Sequence, residues 1–86
     1  MATVTGYVQW MMIDPATEFA KIGIGPSPSD TQIVLVMMSS GDTAQEIGMK
    51  GALIDAFSAA MAARREVTAD YSSTDSKVSL MEMYRA

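Results

Sequence analysis

One helix-like segment, placed after three strand-like segments and before two, constrains the fold of this chain more than any other feature. Thr43-Ala44-Gln45-Glu46 has the spacing of a capping box and predicts a helix over residues 44 to 64 or 65. Apolar residues at alternate positions predict strands on both sides of it. The predicted strands are residues 3–13, 18–25, 31–38, 66–71 and 77–85. The order β-β-β-α-β-β predicts a mainly β fold with one helix.

This element order is typical of the OB-fold, a five-stranded Greek-key barrel, and 86 residues are enough for a single OB-like domain over residues 1–86. Gly6 inside the first strand predicts a bulge or a sharp coil, as a barrel requires. An open α+β sheet covered by one helix would produce almost the same pattern, so both architectures stay open.

The alternation also predicts which side chains share a face. In the first strand, the two predicted faces are Val4, Val8, Trp10 and Met12, and Thr5, Tyr7, Gln9 and Met11. In the fifth strand, they are Val78, Leu80, Glu82 and Tyr84, and Met81 and Met83.

The chain has more apolar residues than a domain of its size can bury. Hydrophobic residues make up 49% of the chain and charged residues 19%, yet so small a domain buries only about 60–65% of its unfolded surface. Residues 32–38 are apolar on both faces, which is typical of a strand covered on both sides. We therefore expect a homo-oligomer.

The predicted helix is apolar over an arc far wider than one core needs. Its bulky residues, predicted to pack on the sheet, are Ile47, Ile54, Phe57 and Met61. A stripe of small residues is the predicted contact between subunits, namely Ala52, Ala56, Ala59 and Ala63. Gly48 and Gly51 weaken the helix and so predict close packing against it.

Several segments resemble a known family. They are an opening Val4-Thr5-Gly6-x-Val8, a hairpin at Thr17-Glu18-Phe19, the single helix, and a strand pair with Glu66-Val67-Thr68 and residues 78–84. In this layout the chain resembles the pentameric B subunits of bacterial AB toxins, particularly the Shiga-toxin type. The resemblance implies an OB-fold and a ring with the helices inside, which suits the alanine stripe. Those subunits contain a disulfide, whereas this chain has no Cys, and no glycan-binding motif of the family is matched.

The residue types present leave little for catalysis. Cys and His are both absent, which excludes a disulfide framework, thiolate or imidazole metal ligands and the most common catalytic bases. Asp14 and Glu18 flank the first turn as ordinary turn formers, and Ser39-Ser40-Gly41 lacks the spacing of a phosphate-binding loop. We expect no enzyme, no cofactor and no metal site.

Binding is the function class that remains. On an OB-fold, ligands contact strands two and three, which here predicts Phe19 and Lys21 as ligand-binding residues. Tyr7 and Gln9 of the neighbouring first strand are predicted to join them. Carbohydrate or another small ligand is the expected occupant, and single-stranded nucleic acid is the alternative. A net charge of −4 makes nucleic acid the weaker of the two. These aromatics also suit plain cross-strand packing or subunit contacts.

Two further features concern surfaces and location. Six of the nine methionines fall on predicted strands, where they suit core and interface packing or, alternatively, a peptide-binding surface.

No stretch approaches the roughly 20 apolar residues that span a bilayer, and the N-terminus does not resemble a signal peptide. Together with the absence of Cys, this favours a cytoplasmic over a secreted location, unless a leader has been removed.

Overall fold

The computed structural model describes residues 1–16 and 18–83, so Thr17 and residues 84–86 lie outside the described part of the chain. Within it, five strands and one helix follow in the predicted order. Their bounds are β1 Ala2–Asp14, β2 Phe19–Ser27, β3 Asp30–Met37, α1 Ala44–Ala63, β4 Glu66–Tyr71 and β5 Val78–Met83. The mainly β fold with one helix is confirmed. The Thr17 part of the predicted hairpin and the predicted end of the fifth strand at Tyr84 and Arg85 lie outside the described residues.

The five strands form one sheet in the order β3-β2-β1-β4-β5, and all four neighbouring pairs are antiparallel. The sheet is not closed into a barrel by a full strand pairing. A single parallel bridge between Leu35 and Lys77 joins its two ends, where the Leu35 N–H donates to the Ser76 carbonyl at 2.8 Å.

A β-bulge lies at Gln9, not at Gly6. The pairing of β1 with β2 shifts between Val8 and Trp10, whereas Gly6 pairs regularly with Val67 of β4. Gly6 instead lets two strands approach closely, since a Cβ there would lie 2.9 Å from the Gly25 Cα. The extra residue reverses the alternation. Val4 and Val8 therefore face inward with Met11, while Trp10 and Met12 face outward, and the predicted faces of this strand are wrong beyond Val8.

A second irregularity affects β5. Asp70 pairs with Leu80 and Tyr71 with Val78, so Ser79 is skipped. Val78 and Met81 consequently both pack against the core, while Leu80 is 48% exposed. The sequence placed Val78 with Leu80 and opposite Met81, which the bulge makes wrong.

The core lies between the inner face of the sheet and α1. Phe57 and Ala60 of the helix are fully buried there. Leu53 and Ile54 are partly buried against the same core. The buried sheet residues are Val8, Ala20, Ile22, Ile24, Val34, Val36, Val67 and Ala69. Along β2, the alternate residues Ala20, Ile22 and Ile24 all point into this core.

The core-facing side of α1 agrees with the prediction only in part, because Ile54 and Phe57 pack on the core whereas Ile47 and Met61 do not, and this shifts the contact line. It runs through Leu53, Phe57 and Ala60, three residues spaced by four and three positions. Ile47 and Met61, predicted to pack on the sheet with Phe57, are 49% and 37% exposed because they lie to one side of this line. The outward face of β3 is likewise uncovered in the protomer, with Ile33 at 42% exposure.

The ends of α1 follow the sequence closely. Thr43 and Glu46 form the predicted capping box, with both reciprocal bonds at 3.2 Å. Arg64 ends the helix in the left-handed region at φ 53°. Nothing in the described chain lies within 4 Å of a Cβ placed on Gly48 or Gly51. These glycines therefore do not serve close packing within the protomer, contrary to the prediction.

Among the described residues, no helix combines the length and the apolar character needed to cross a membrane.

Candidate functional site

The outward side of β1, β2 and β3 carries a continuous apolar surface, here called the outer face. Strand pairing builds it row by row: Met12, Lys21 and Leu35 form one row, and Trp10, Gly23 and Ile33 the next. The outer face comprises Trp10, Met12, Phe19, Lys21, Ile33, Leu35 and Met37. Met12 is 45% exposed and the others are at least partly accessible. Within the protomer, no described element covers this side of the sheet.

Phe19 and Lys21 lie on the outer face as neighbours on one strand. The Lys21 ammonium nitrogen is 5.5 Å from the centre of the Phe19 ring, a distance at which the ring attracts a cation. The two residues predicted to bind ligand from β2 are therefore together. They combine an aromatic surface with one positive charge.

Trp10 lies flat against a gap in the neighbouring strand. Its indole occupies the space that a side chain at Gly23 would need, since a Cβ there would overlap Cε2 and Nε1 of the ring. The sequence pattern missed Trp10 and Met12 as outer-face residues because nothing in the residue types around Gln9 signals a bulge. A glycine opposite a tryptophan in the correct register was the available clue.

Tyr7 and Gln9 lie apart from Phe19 and Lys21 and are not part of the outer face. The Gln9 amide donates to the Gly25 carbonyl at 2.9 Å, which ties the bulge to β2. Tyr7 is 44% exposed, and both residues line a cavity of about 600 Å³ with Val8, Met61 and Arg64. The structure thus divides the four predicted ligand-binding residues into two pairs, Phe19 with Lys21 and Tyr7 with Gln9.

The predicted interface stripe lies on one flank of the helix, beside the residues that contact the core. Ala52, Ala59 and Ala63 are exposed, and Ala56 is half-buried. Ala60, which shares the same small-residue character, is in the core. The stripe and the outer face are therefore separate surfaces of the protomer, one on the helix and one on the side of the sheet that the helix does not cover.

The strongest polar contact precedes the helix. The Lys50 ammonium lies 2.6 Å from Asp42 Oδ2, and the side chain of Asp42 is only 7% exposed. The same oxygen accepts the Ser39 N–H at 2.9 Å. The Lys50 hydrogen bond, followed by that of Ser39, holds the pKa of Asp42 below its ordinary value. Asp42 thus already occupies the N–H of the Ser39-Ser40-Gly41 loop, where an anion would have to bind.

Asp14 and Asp75 each accept a hydrogen bond from the backbone N–H two positions further along the chain. Asp14 accepts the Ala16 N–H at 3.0 Å, which is turn chemistry. The Lys77 N–H donates to Asp75 and holds the pKa of that carboxyl below its ordinary value. In the described part of the chain, no three acidic side chains converge as a metal site would require.

Comparison with protein-family models, with curated proteins and with solved structures finds no match to this chain. The likeness to toxin B subunits therefore stays a prediction from the sequence. The features of the protomer that bear on function are therefore its two apolar surfaces and its two clefts.

Proposed function

We propose that this chain is a non-enzymatic binding or structural module that assembles into a homo-oligomeric ring of OB-like subunits. One observation carries the proposal: one protomer has two separate apolar surfaces, the outer face on the sheet and the alanine stripe on the helix. A closed ring repeats a contact between two different surfaces of each subunit, whereas a two-fold dimer uses one surface twice. A protomer with two such surfaces suits the ring.

The OB-like part of the proposal is supported by the connection between the sheet ends. The helix lies between β3 and β4, and β3 approaches the start of β5 in parallel orientation at Leu35 and Lys77. The 2.8 Å bond from the Leu35 N–H to the Ser76 carbonyl spans this gap. A partly open five-stranded barrel has its ends joined in this way.

The ring proposal also accounts for exposed side chains that have no role in the protomer. Met12 and Ile33 on the outer face are 45% and 42% exposed, and contiguous apolar patches of this kind mark interaction sites. Burial of a Met or Ile side chain contributes about 1.5–3 kcal/mol. Contact between the outer face of one subunit and the helix of the next would bury both surfaces.

Ligand binding is the second half of the proposal, with carbohydrate or another small ligand at Phe19 and Lys21 and at Tyr7 and Gln9. Aromatic rings beside polar groups offer a sugar both a flat apolar contact and hydrogen bonds. Single-stranded nucleic acid is the alternative occupant of the same aromatics. The net charge of −4 opposes it, because phosphate binding depends on cations.

Charge substitutions on the two surfaces test the ring. Light scattering and sedimentation measure the mass of the assembly that each variant forms in solution. Ala59→Glu on the exposed stripe and Ile33→Lys on the outer face should each give monomers. Ala56→Glu should act similarly, but Ala56 is half-buried, so Ala59 is the cleaner position. Ser58→Glu places the same charge on an exposed, non-stripe position of the same helix and should leave the assembly intact.

A mixing experiment distinguishes a ring from a two-fold dimer. Each variant keeps the surface that the other lacks. Because opposite charges on the two free surfaces would attract, the mixture combines Ala59→Glu with Ile33→Glu, and it should form dimers and nothing larger. A wild-type protein that is monomeric at all concentrations would overturn the ring. A glycan array and fluorescein-labelled oligonucleotides then separate the two ligand classes, and oligonucleotide binding that weakens with salt would favour the alternative.

A further inference from the structure

A cleft of about 540 Å³ lies between the β1–β2 turn and the first half of α1. Its apolar walls are Ile13, Phe19, Val36, Ile47 and Ile54. Ile13 and Ile47 are 60% and 49% exposed, whereas Ile22 and Ile24 in the core are fully buried. The volume is within the range of small-molecule sites, which are concave and mostly apolar with a few polar groups.

Charge at the rim of this cleft has one sign. Three acidic residues line it, Asp14, Glu18 and Asp42, and none of the described lining residues is cationic. Asp42 is paired with Lys50. Among the residues that the structure describes, the Glu18 carboxylate has no hydrogen bond or ion pair, and the Asp14 carboxylate accepts only the Ala16 N–H. Asp14 and Glu18 therefore leave the mouth of an apolar cleft negatively charged.

We propose that this cleft binds a small amphiphilic cation, an organic ammonium with a hydrocarbon body. The hydrocarbon would lie against Ile13, Ile47 and Ile54, and the ammonium would lie near the carboxylates of Asp14 and Glu18. Charge complementarity selects the cation, because an amphiphilic anion would meet the same two carboxylates with repulsion. The site lies within one protomer, so it does not depend on ring assembly, and it needs no contact with the Phe19 ring, which lies on the outer face beside Lys21.

The proposal is tested with three probes of equal chain length: octylammonium, octanoate and 1-octanol. Binding is measured by calorimetry and by ¹⁵N–¹H chemical shifts at concentrations below micelle formation. Octylammonium should bind saturably and at least about tenfold more tightly than octanoate, because octanoate forms neither ion pair and is repelled by the same carboxylates. Its largest shifts should fall on Ile13 and Ile47.

Substitutions then assign the binding to the cleft. Glu18→Gln and Asp14→Asn should each weaken octylammonium about fivefold and leave 1-octanol unchanged. Asp55→Asn removes the same charge from an exposed position of α1 outside the cleft and should have no effect. Ile47→Ser, at an exposed wall position, should weaken both octylammonium and 1-octanol, since it removes hydrocarbon contact.

Three results would overturn the proposal. Octanoate and octylammonium binding equally well would show that the carboxylates do not select the charge. Shifts centred on Trp10 and Ile33 would place the probe on the outer face. Equal effects of Glu18→Gln and Asp55→Asn would indicate that only the net charge of the protein matters.

Discussion

Gly23 determines where the only tryptophan of the chain lies. The Trp10 indole occupies the space of the missing side chain at Gly23. Gly23→Ala should displace the ring toward water, shift its fluorescence emission to longer wavelength and lower the free energy of unfolding by about 1 kcal/mol. Emission spectra and urea unfolding measure both effects.

Gly48→Ala is the matched control for this substitution. The added methyl group meets nothing within 4 Å and replaces a poor helix former, so it should raise the free energy of unfolding by up to about 1 kcal/mol. The Trp10 emission should not change. An unaltered spectrum in Gly23→Ala as well would mean that the indole does not rest on Gly23.

Single residues also decide how far the faces of a strand can be predicted. The pattern correctly places Val4 and Val8 on the same face, but the bulge at Gln9 reverses every position that follows in β1. Gln9 is bonded to the Gly25 carbonyl, a partner sixteen positions away that no local pattern contains. An alternating sequence is compatible with either register, so the outer face could not be found from β1 alone.

At the scale of elements, the start of α1 combines a predictable and an unpredictable contact. The capping box of Thr43 and Glu46 follows from residue spacing, because its partners are three positions apart. The Asp42–Lys50 pair joins residues eight positions apart, a separation for which no spacing rule exists. Local contacts were therefore predicted at this helix end, and the longer one was not.

The Asp42–Lys50 pair should make stability depend on acid pH. The pKa of Asp42 is lower in the folded chain than its ordinary value of 3.8, so the unfolded chain binds the proton more readily. The stabilisation is complete above 3.8 and is lost as the pH falls through the folded pKa. Asp42→Asn should therefore lose less stability than the wild type between about pH 5 and pH 2.5, measured by urea unfolding.

Asp55→Asn serves as the charge-matched control on the same helix, and its pH profile should follow the wild type. Asp75 keeps its own lowered pKa in all three proteins, so it contributes equally to each curve. A profile of Asp42→Asn that coincides with the wild type would mean that the contact to Lys50 does not persist in solution.

At the scale of the whole molecule, the question is how far the sheet closes. The element order was predicted correctly from the sequence, but the same order suits an open sheet and a barrel. What separates the two is contact between β3 and the start of β5, about forty positions apart in the chain. That contact consists of Leu35, Ser76 and Lys77, and Ser76 adopts the left-handed region at φ 63° to make it. No sequence pattern predicts a contact of this kind.

Amide hydrogen exchange at Leu35 measures that closure directly. Its N–H faces away from β2 and donates to the Ser76 carbonyl at 2.8 Å. The Ile33 N–H faces the same edge, two positions earlier, because donors alternate along an antiparallel strand. If the sheet ends stay joined, Leu35 should exchange at least about fivefold more slowly than Ile33, since opening one hydrogen bond costs about 1 kcal/mol. Equal rates at the two amides would mean that the sheet stays open at this edge, and the OB-like subunit would give way to an open sheet with a single covering helix.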